Sequence, residues 1–248
     1  MEGVQAAAPR LPDEVQHARL GAAQGEGRQG AAVKPFTVIE AEQRSAGWFA
    51  ARAGKLTGSV AADIAATLKS GGEPASRRDL RTRLALERLC GRSLEDDYVN
   101  GDMKRGIELE PEALAAYEAL TGDMVQRTGF LAHSELALGC SLDGHLGEFD
   151  GIVELKAPRP ANHLKYLRAG VLPAEHRFQI VHNLFVTGAA FADFCSYSPD
   201  FPEPLRLFRV RVKRDEAEIA SYKLLAVAFL NEVQKEYDEI LALAGVAA

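Results

Sequence analysis

The stretch Gly151-Ile-Val-Glu-Leu-Lys-Ala-Pro158 constrains the fold of this chain more than any other. Ile152, Val153, Leu155 and Ala157 make it apolar enough for a buried strand, and Pro158, with no amide to offer a ladder, ends it. Two charges nevertheless sit inside it. Side chains alternate along a strand, so Glu154 and Lys156 share one face, about 6.6 Å apart along it, while Val153 and Leu155 point the other way into the core. A buried strand carries charges only when they are paired or metal-bound.

Around this strand the hydrophobic period changes repeatedly. FTVIEA, from Phe36, reads as a short strand, and Gly58-Ser59 as the opening of a helix through VAADIAATLKS, since serine is a good N-cap. SRRDLRTRLALERLCG and IELEPEALAAYEALTG read as helices stopped by Gly91 and Gly122. MVQRTGFLAH, ALGCSLDG and FDGIVELKAP read as three strands separated by turns. ANHLKYLRAG and PAEHRFQIVHNLFVTG return to helix, FADFCSYS and LRLFRVRVKR to strand, and Asp215 caps a long last helix. The order predicts one α/β domain, a mixed β-sheet flanked by α-helices. Residues 1–34, rich in Ala, Gly, Gln and charged residues, read as a disordered extension with a weak helix around Glu14–Ala23; residues 35–248 read as the folded domain.

Composition excludes several classes. A chain of 248 residues, 47% hydrophobic, buries a core without disulfides or metals to hold it. Its three cysteines, Cys90, Cys140 and Cys195, are scattered with no CxxC pair. That argues for a reducing compartment, against a zinc ribbon, and against a four-cysteine iron–sulfur cluster. The N-terminus has no continuous apolar core of the secretory kind, and no apolar run approaches membrane-span length. The net charge of −6 gives no global basic field, so any DNA contact needs a local basic surface on an acidic body.

The charged strand finds its partner upstream. Asp143, about ten positions earlier, reaches the face that carries Glu154 and Lys156, which places two carboxylates and one ammonium at a sheet edge. Carboxylate oxygens suit Mg²⁺. A cation held there can bind a phosphate oxygen and lower the pKa of a water, while the lysine steadies that water or the growing negative charge. The pattern suits metal-dependent phosphodiester hydrolysis; the plain alternative is a surface strand with a cross-strand ion pair. At helical spacing Glu110 lies among Ile107, Leu114 and Tyr117, with Glu108 and Glu112 opposite. It is either a third inward acid or a capping one, and Pro111 favours a kink or a start there. Arg52 lies ahead of the Thr57-Gly58-Ser59 turn, where a helix N-terminus would favour an anion, or is a surface arginine. Gln179, with His176, His182 and Asn183, forms a polar stripe that is either part of the site or a solvated face. Trp48 reads as core, and His145 and His182 as supporting groups beside the site. The run Arg77-Arg78, Arg81, Arg83 is a solvated face or a DNA-backbone surface.

Four motifs in series, WFAARAGKLTGS (48–59), RGIELE (105–110) with Tyr117-Glu118, CSLDG (140–144) with ELKAP (154–158), and FQIVH (178–182), resemble the lambda exonuclease family, the YqaJ-like viral recombinase nucleases of the PD-(D/E)xK superfamily. The resemblance runs from about Ile39 to the last helix and leaves the N-terminal segment without a counterpart. It implies a restriction-endonuclease-like core. Asp143 and Glu154 would bind Mg²⁺, with Mn²⁺ as a substitute, helped by Glu110 and the Leu155 carbonyl. Lys156 would act on the nucleophilic water, and Gln179 would orient water or phosphate. Arg52 and Ser59, with Thr57, would hold a DNA 5′-phosphate. It further implies a cytoplasmic enzyme of a bacterial host cell that digests duplex DNA ends 5′ to 3′, as a ring-shaped trimer beside a single-strand annealing protein. The alternatives are another nuclease of the superfamily, such as an endonuclease, and a catalytically silent DNA-binding protein on this fold.

Overall fold

The computed structural model describes residues 34–68, 71–95, 100–243 and 245. All but Lys34 of the extension expected over residues 1–34 lies outside the described residues, as does the helix expected around Glu14–Ala23. In chain order, β1 (Phe36–Ile39) leads to α1 (Ala46–Arg52), β2 (Leu56–Thr57) and two 3₁₀ turns, Gly58–Val60 and Asp63–Ala65. Then come α2 (Ala75–Cys90), α3 (Gly101–Thr121), β3 (Phe130–His133), β4 (Leu138–Cys140), β5 (Gly144–Leu146) and β6 (Gly151–Lys156). The chain closes with α4 (Pro160–Ala169), α5 (Arg177–Thr187), β7 (Phe191–Tyr197), β8 (Leu207–Lys213) and α6 (Glu216–Leu243). Among the described residues no helix is long and apolar enough to cross a membrane.

The strands form two four-stranded sheets, β1-β3-β4-β2 and β5-β6-β7-β8, where the sequence predicts one. The division falls inside the stretch ALGCSLDG: Ser141–Asp143 leave the β4 ladder, and Gly144 starts a strand paired with β6. β6 lies between antiparallel β5 and parallel β7. A parallel neighbour requires a crossover, and α4 and α5 supply it. Both faces of β6 are packed. Ile152 joins Ile180 and Leu184 of α5, while Val153 and Leu155 meet Ala113 and Tyr117 of α3.

Two helix expectations and the reading of the arginine run change. VAADIAATLKS forms 3₁₀ turns instead of an α-helix, because a period of three puts Ala61 and Ile64, 0% and 1% exposed, on one buried side. Ser59 therefore caps no helix. α3 begins at Gly101, capped by the Asn100 side chain, and runs through Pro111, which forfeits its bond to the carbonyl of exposed Ile107. The arginine run resolves into clamps. Arg77 pairs with Glu73 and Glu232, and Arg81 with Glu73 and Glu236, which ties α2 to α6; Arg83 turns to Glu95, and only Arg78 stays on the surface with Asp79.

Candidate active site

Asp143 sits between β4 and β5, and its Oδ2 accepts the main-chain N–H of Leu155 at 2.6 Å. That bond fastens the aspartate to the end of β6, beside the alternating pair Glu154 and Lys156. Glu154 is 2% exposed. Lys156 donates to its Oε1, which also accepts from Gln179 Nε2 at 2.6 Å, and Asn183 Nδ2 donates to its Oε2 at 3.2 Å. Gln179 and Asn183 are i and i+4 on α5, so one helical face serves one carboxylate. His182 and Asn183 lie in the buried run Ile180–Thr187 and Gln179 is half-buried against Glu154, so these three do not form a solvated face. His182 turns away from the site; its Nε2 lies 2.8 Å from the Gly139 carbonyl and its Nδ1 against the Tyr222 hydroxyl. His145 instead stacks on Phe149, with ring centroids 3.9 Å apart.

Asp143 stands where two open clefts meet. One, of about 600 Å³, is walled by Glu110, Leu155, Lys156, Tyr166 and His176 and by the first turns of α3 and α4. The other, of about 470 Å³, is walled by Trp48, Arg52, Arg83, Glu95, Gln179 and Asn183. Gln43, Arg44, Ser59, Met103 and Asp143 line both. Residues as distant in sequence as Arg52, Ser59, Glu110, Asp143, Lys156 and Gln179 are thus gathered around one point. Thr57 is 2% exposed, lines neither cleft, and comes within 3.4 Å of the Ser59 hydroxyl. Trp48, expected in the core, is a cleft wall, with Nε1 donating to Ser141 Oγ at 2.8 Å.

The acids oppose one another. Burial pushes the Glu154 carboxyl up to about 7, with Lys156 pulling it down and the Asp143 charge pushing the same way as burial. Burial raises Asp143 too, against the pull of Lys156 and the Leu155 N–H. Glu110 is raised by burial and by Asp143, although Arg127 pairs with it at 2.8 Å. Burial would lower the Lys156 ammonium, but Glu154 and Asp143 outweigh it and raise its pKa. A buried site with more carboxylates than cations, all of them hard oxygen donors, fits a divalent ion of the Mg²⁺ type. Among the described residues no three His, Cys, Asp or Glu side chains are arranged to hold a metal by themselves. Asp143 and Glu154 would therefore share such an ion with a main-chain carbonyl or water.

Glu95, Arg44 and Gln43 had no signal in the sequence: each lies on a loop and reaches the cleft only through the fold. Arg44 also holds φ at 67°, a left-handed conformation that costs a non-glycine residue energy and recurs at binding sites. Arg83 and Asn183 were visible as members of a basic run and a polar stripe, but their partners were not.

Comparisons with known proteins identify the family and the fold. The model of the YqaJ-like viral recombinase domain matches residues 47–190, a span that includes every site residue from Arg52 to Asn183. LHK-Exo, an alkaline exonuclease from Laribacter hongkongensis solved alone and in complex with dAMP, is 34% identical. The match covers 80% of this chain and 97% of that one, with TM-scores of 0.72 for the dAMP complex and 0.71 for the protein alone. A phage related exonuclease from Haemophilus somnus 129PT has the same fold at 18% identity, with a TM-score of 0.56 over 77% of this chain and 96% of that one. The search of curated proteins gave no match.

Proposed function

The chain belongs to the YqaJ-like viral recombinase family, and from that premise we propose that it is a Mg²⁺-dependent exonuclease that digests double-stranded DNA from its 5′ ends. The observation that carries the reading is that Asp143 stands where two arginine-lined clefts meet, fastened to the strand on which Glu154 and Lys156 pair. Asp143, Glu154 and the Leu155 carbonyl, with Glu110 beside them, would hold Mg²⁺, which supplies the charge that makes a phosphodiester accept a nucleophile. Gln179 and Asn183 hold the Glu154 carboxylate in one orientation. With its raised pKa, Lys156 stays an ammonium at neutral pH. It acts by donating hydrogen bonds to water and to the charge that grows on the phosphate, and removes no proton itself. Arg52 and Ser59, on the adjoining cleft, hold the terminal phosphate and so set the next bond beside the acids.

Duplex DNA labelled at either the 5′ or the 3′ end, digested with and without Mg²⁺, tests the reading. Label should leave the 5′ end first, and only with Mg²⁺. Asp143→Ala and Glu154→Ala should each abolish release while the fold is kept; release at the wild-type rate by either would end the metal assignment. Nicking of closed circular DNA would favour an endonuclease. Arg52→Ala should slow digestion of 5′-phosphorylated duplex far more than that of 5′-hydroxyl duplex. Equal slowing of both would mean that Arg52 does not read the terminal phosphate.

A further inference from the structure

Glu95 takes no part in the chemistry above, yet it fills the arginine cleft. Its Oε1 accepts from Arg52 Nη2 at 2.9 Å and pairs with Arg83 Nη1 at 3.0 Å. Its Oε2 accepts from Arg52 Nε and Nη2 at 3.2 and 3.0 Å. The Arg52 guanidinium is fixed from behind by the Trp48 ring, 4.1 Å away, and its side chain is only 9% exposed. The carboxylate thus occupies the flat two-pronged face that an arginine offers to a phosphate. The charges do not match, since one monoanion lies between two guanidiniums. A terminal phosphate monoester, close to a dianion at neutral pH, fits that pair better. Ser59 lines the same cleft with a hydroxyl to add.

The loop that presents Glu95 is built to do so. The buried carboxylate of Glu87 accepts the N–H of Gly54, just past α1, at 2.8 Å and the N–H of Leu94 at 2.9 Å. One side chain therefore holds together the turn after Arg52 and the residue before Glu95. The Ser93 hydroxyl accepts from the Glu95 N–H at 3.1 Å and completes the turn.

We propose that Arg83 is a second arginine of the terminal-phosphate pocket and that Glu95 is its resident occupant, a carboxylate that blocks the pocket until a DNA end displaces it. The proposal rests on the reading that Arg52 and Ser59 hold that phosphate. An occupied pocket binds any anion more weakly, by the fraction of time it stands empty. Free phosphate must displace Glu95 with its own contacts alone. A duplex end adds its contacts along the rest of the cleft, so the block keeps small anions out and admits the substrate.

Inorganic phosphate titrated calorimetrically into the full chain, in chelator, tests this directly. Glu95→Gln keeps the shape of the side chain and removes the competing charge. It should bind phosphate at least about tenfold tighter than wild type, the gain expected if the open pocket is a minor state of roughly 10% or less. Arg83→Gln added to Glu95→Gln should cancel most of that gain. In Glu95→Gln the ratio of rates on 5′-phosphate over 5′-hydroxyl duplex should also rise. If Glu95→Gln binds phosphate no tighter than wild type and melts at a lower temperature, Glu95 is a structural ion-pair partner and the proposal falls. If the gain survives loss of Arg83, Arg83 is not part of the pocket. Should Arg52→Ala distinguish the two kinds of end while Glu95→Gln leaves phosphate affinity unchanged, only this inference fails; should Arg52→Ala slow both ends alike, the phosphate-pocket reading beneath it fails as well.

Discussion

Every partner of the Glu154 carboxylate comes from its own strand or from one face of α5, and the same helix holds a second buried polar group, His182. Its Nε2 faces a carbonyl, so that nitrogen carries the proton and Nδ1 accepts from Tyr222. Burial lowers its pKa to about 4, with the Gly139 carbonyl pulling up and His133 pushing down. A histidine held neutral in the fold and charged in the unfolded chain stabilises the protein fully above pH 6.5; that stability is lost as pH falls towards 4. By pH 5 the loss from this one group reaches about 2 kcal/mol. His176 is lowered in the same direction, by burial and by Lys156, and contributes its loss to every variant that retains it. Urea midpoints at pH 7 and pH 5 should therefore draw closer in His182→Gln than in wild type. An equal drop in both would mean that His182 is not the acid-sensitive group.

At the scale of elements, α5 meets the first 3₁₀ turn through a residue with no side chain. A Cβ on Gly58 would lie 2.5 Å from Asn183 Oδ1 and 3.4 Å from Gln179 Cγ, the two side chains that orient Glu154. Gly58→Ala should cost roughly 1–3 kcal/mol of stability from overpacking. It should also lower kcat/KM by up to about a hundredfold through a displaced carboxylate, with the fold kept by circular dichroism. Activity near wild type would show that this contact is slack. The elements themselves were largely legible in the sequence. Gly91, Gly122 and Asp215 mark real boundaries, and the alternation of GIVELK puts Glu154 and Lys156 on one side of β6. What escaped was governed by distant contacts. Nothing local in VAADIAATLKS says that Ala61 and Ile64 must share a buried side at a period of three, and nothing in CSLDG says that Gly144 changes sheets.

At the scale of the whole molecule, a chain of net charge −6 must bind a polyanion through a confined region. Arg44, Arg52, Arg83, Lys156 and Arg159 line the two clefts. Each phosphate they contact releases condensed counterions. The affinity of Asp143→Ala protein for duplex DNA, measured by fluorescence anisotropy, should fall with salt on a double-logarithmic slope steeper than about −3. A flat response would point to a different partner. Much of this surface was legible in the sequence as residues but not as a place. Asp143, Glu154, Lys156 and Gln179 stand in motifs whose spacing is short enough to read, whereas Arg52 with Glu95, or Glu110 with Arg127, meet only after the chain has closed on itself.

The stack of Trp48 on Arg52 has an optical consequence. The chain has one tryptophan, and it lies 4.1 Å from the guanidinium at the centre of the arginine cleft. Indole emission responds to the charge and polarity beside the ring, so emission excited selectively at the indole, apart from the six tyrosines, is a single-site signal from that cleft. Exchange of one anion for another on Arg52 should change its intensity or wavelength, and stopped-flow mixing with 5′-phosphorylated duplex in chelator should follow the exchange in real time. Glu95→Gln should alter the starting spectrum before any DNA is added, and a trace that stays flat would mean that the ring does not sense what Arg52 holds.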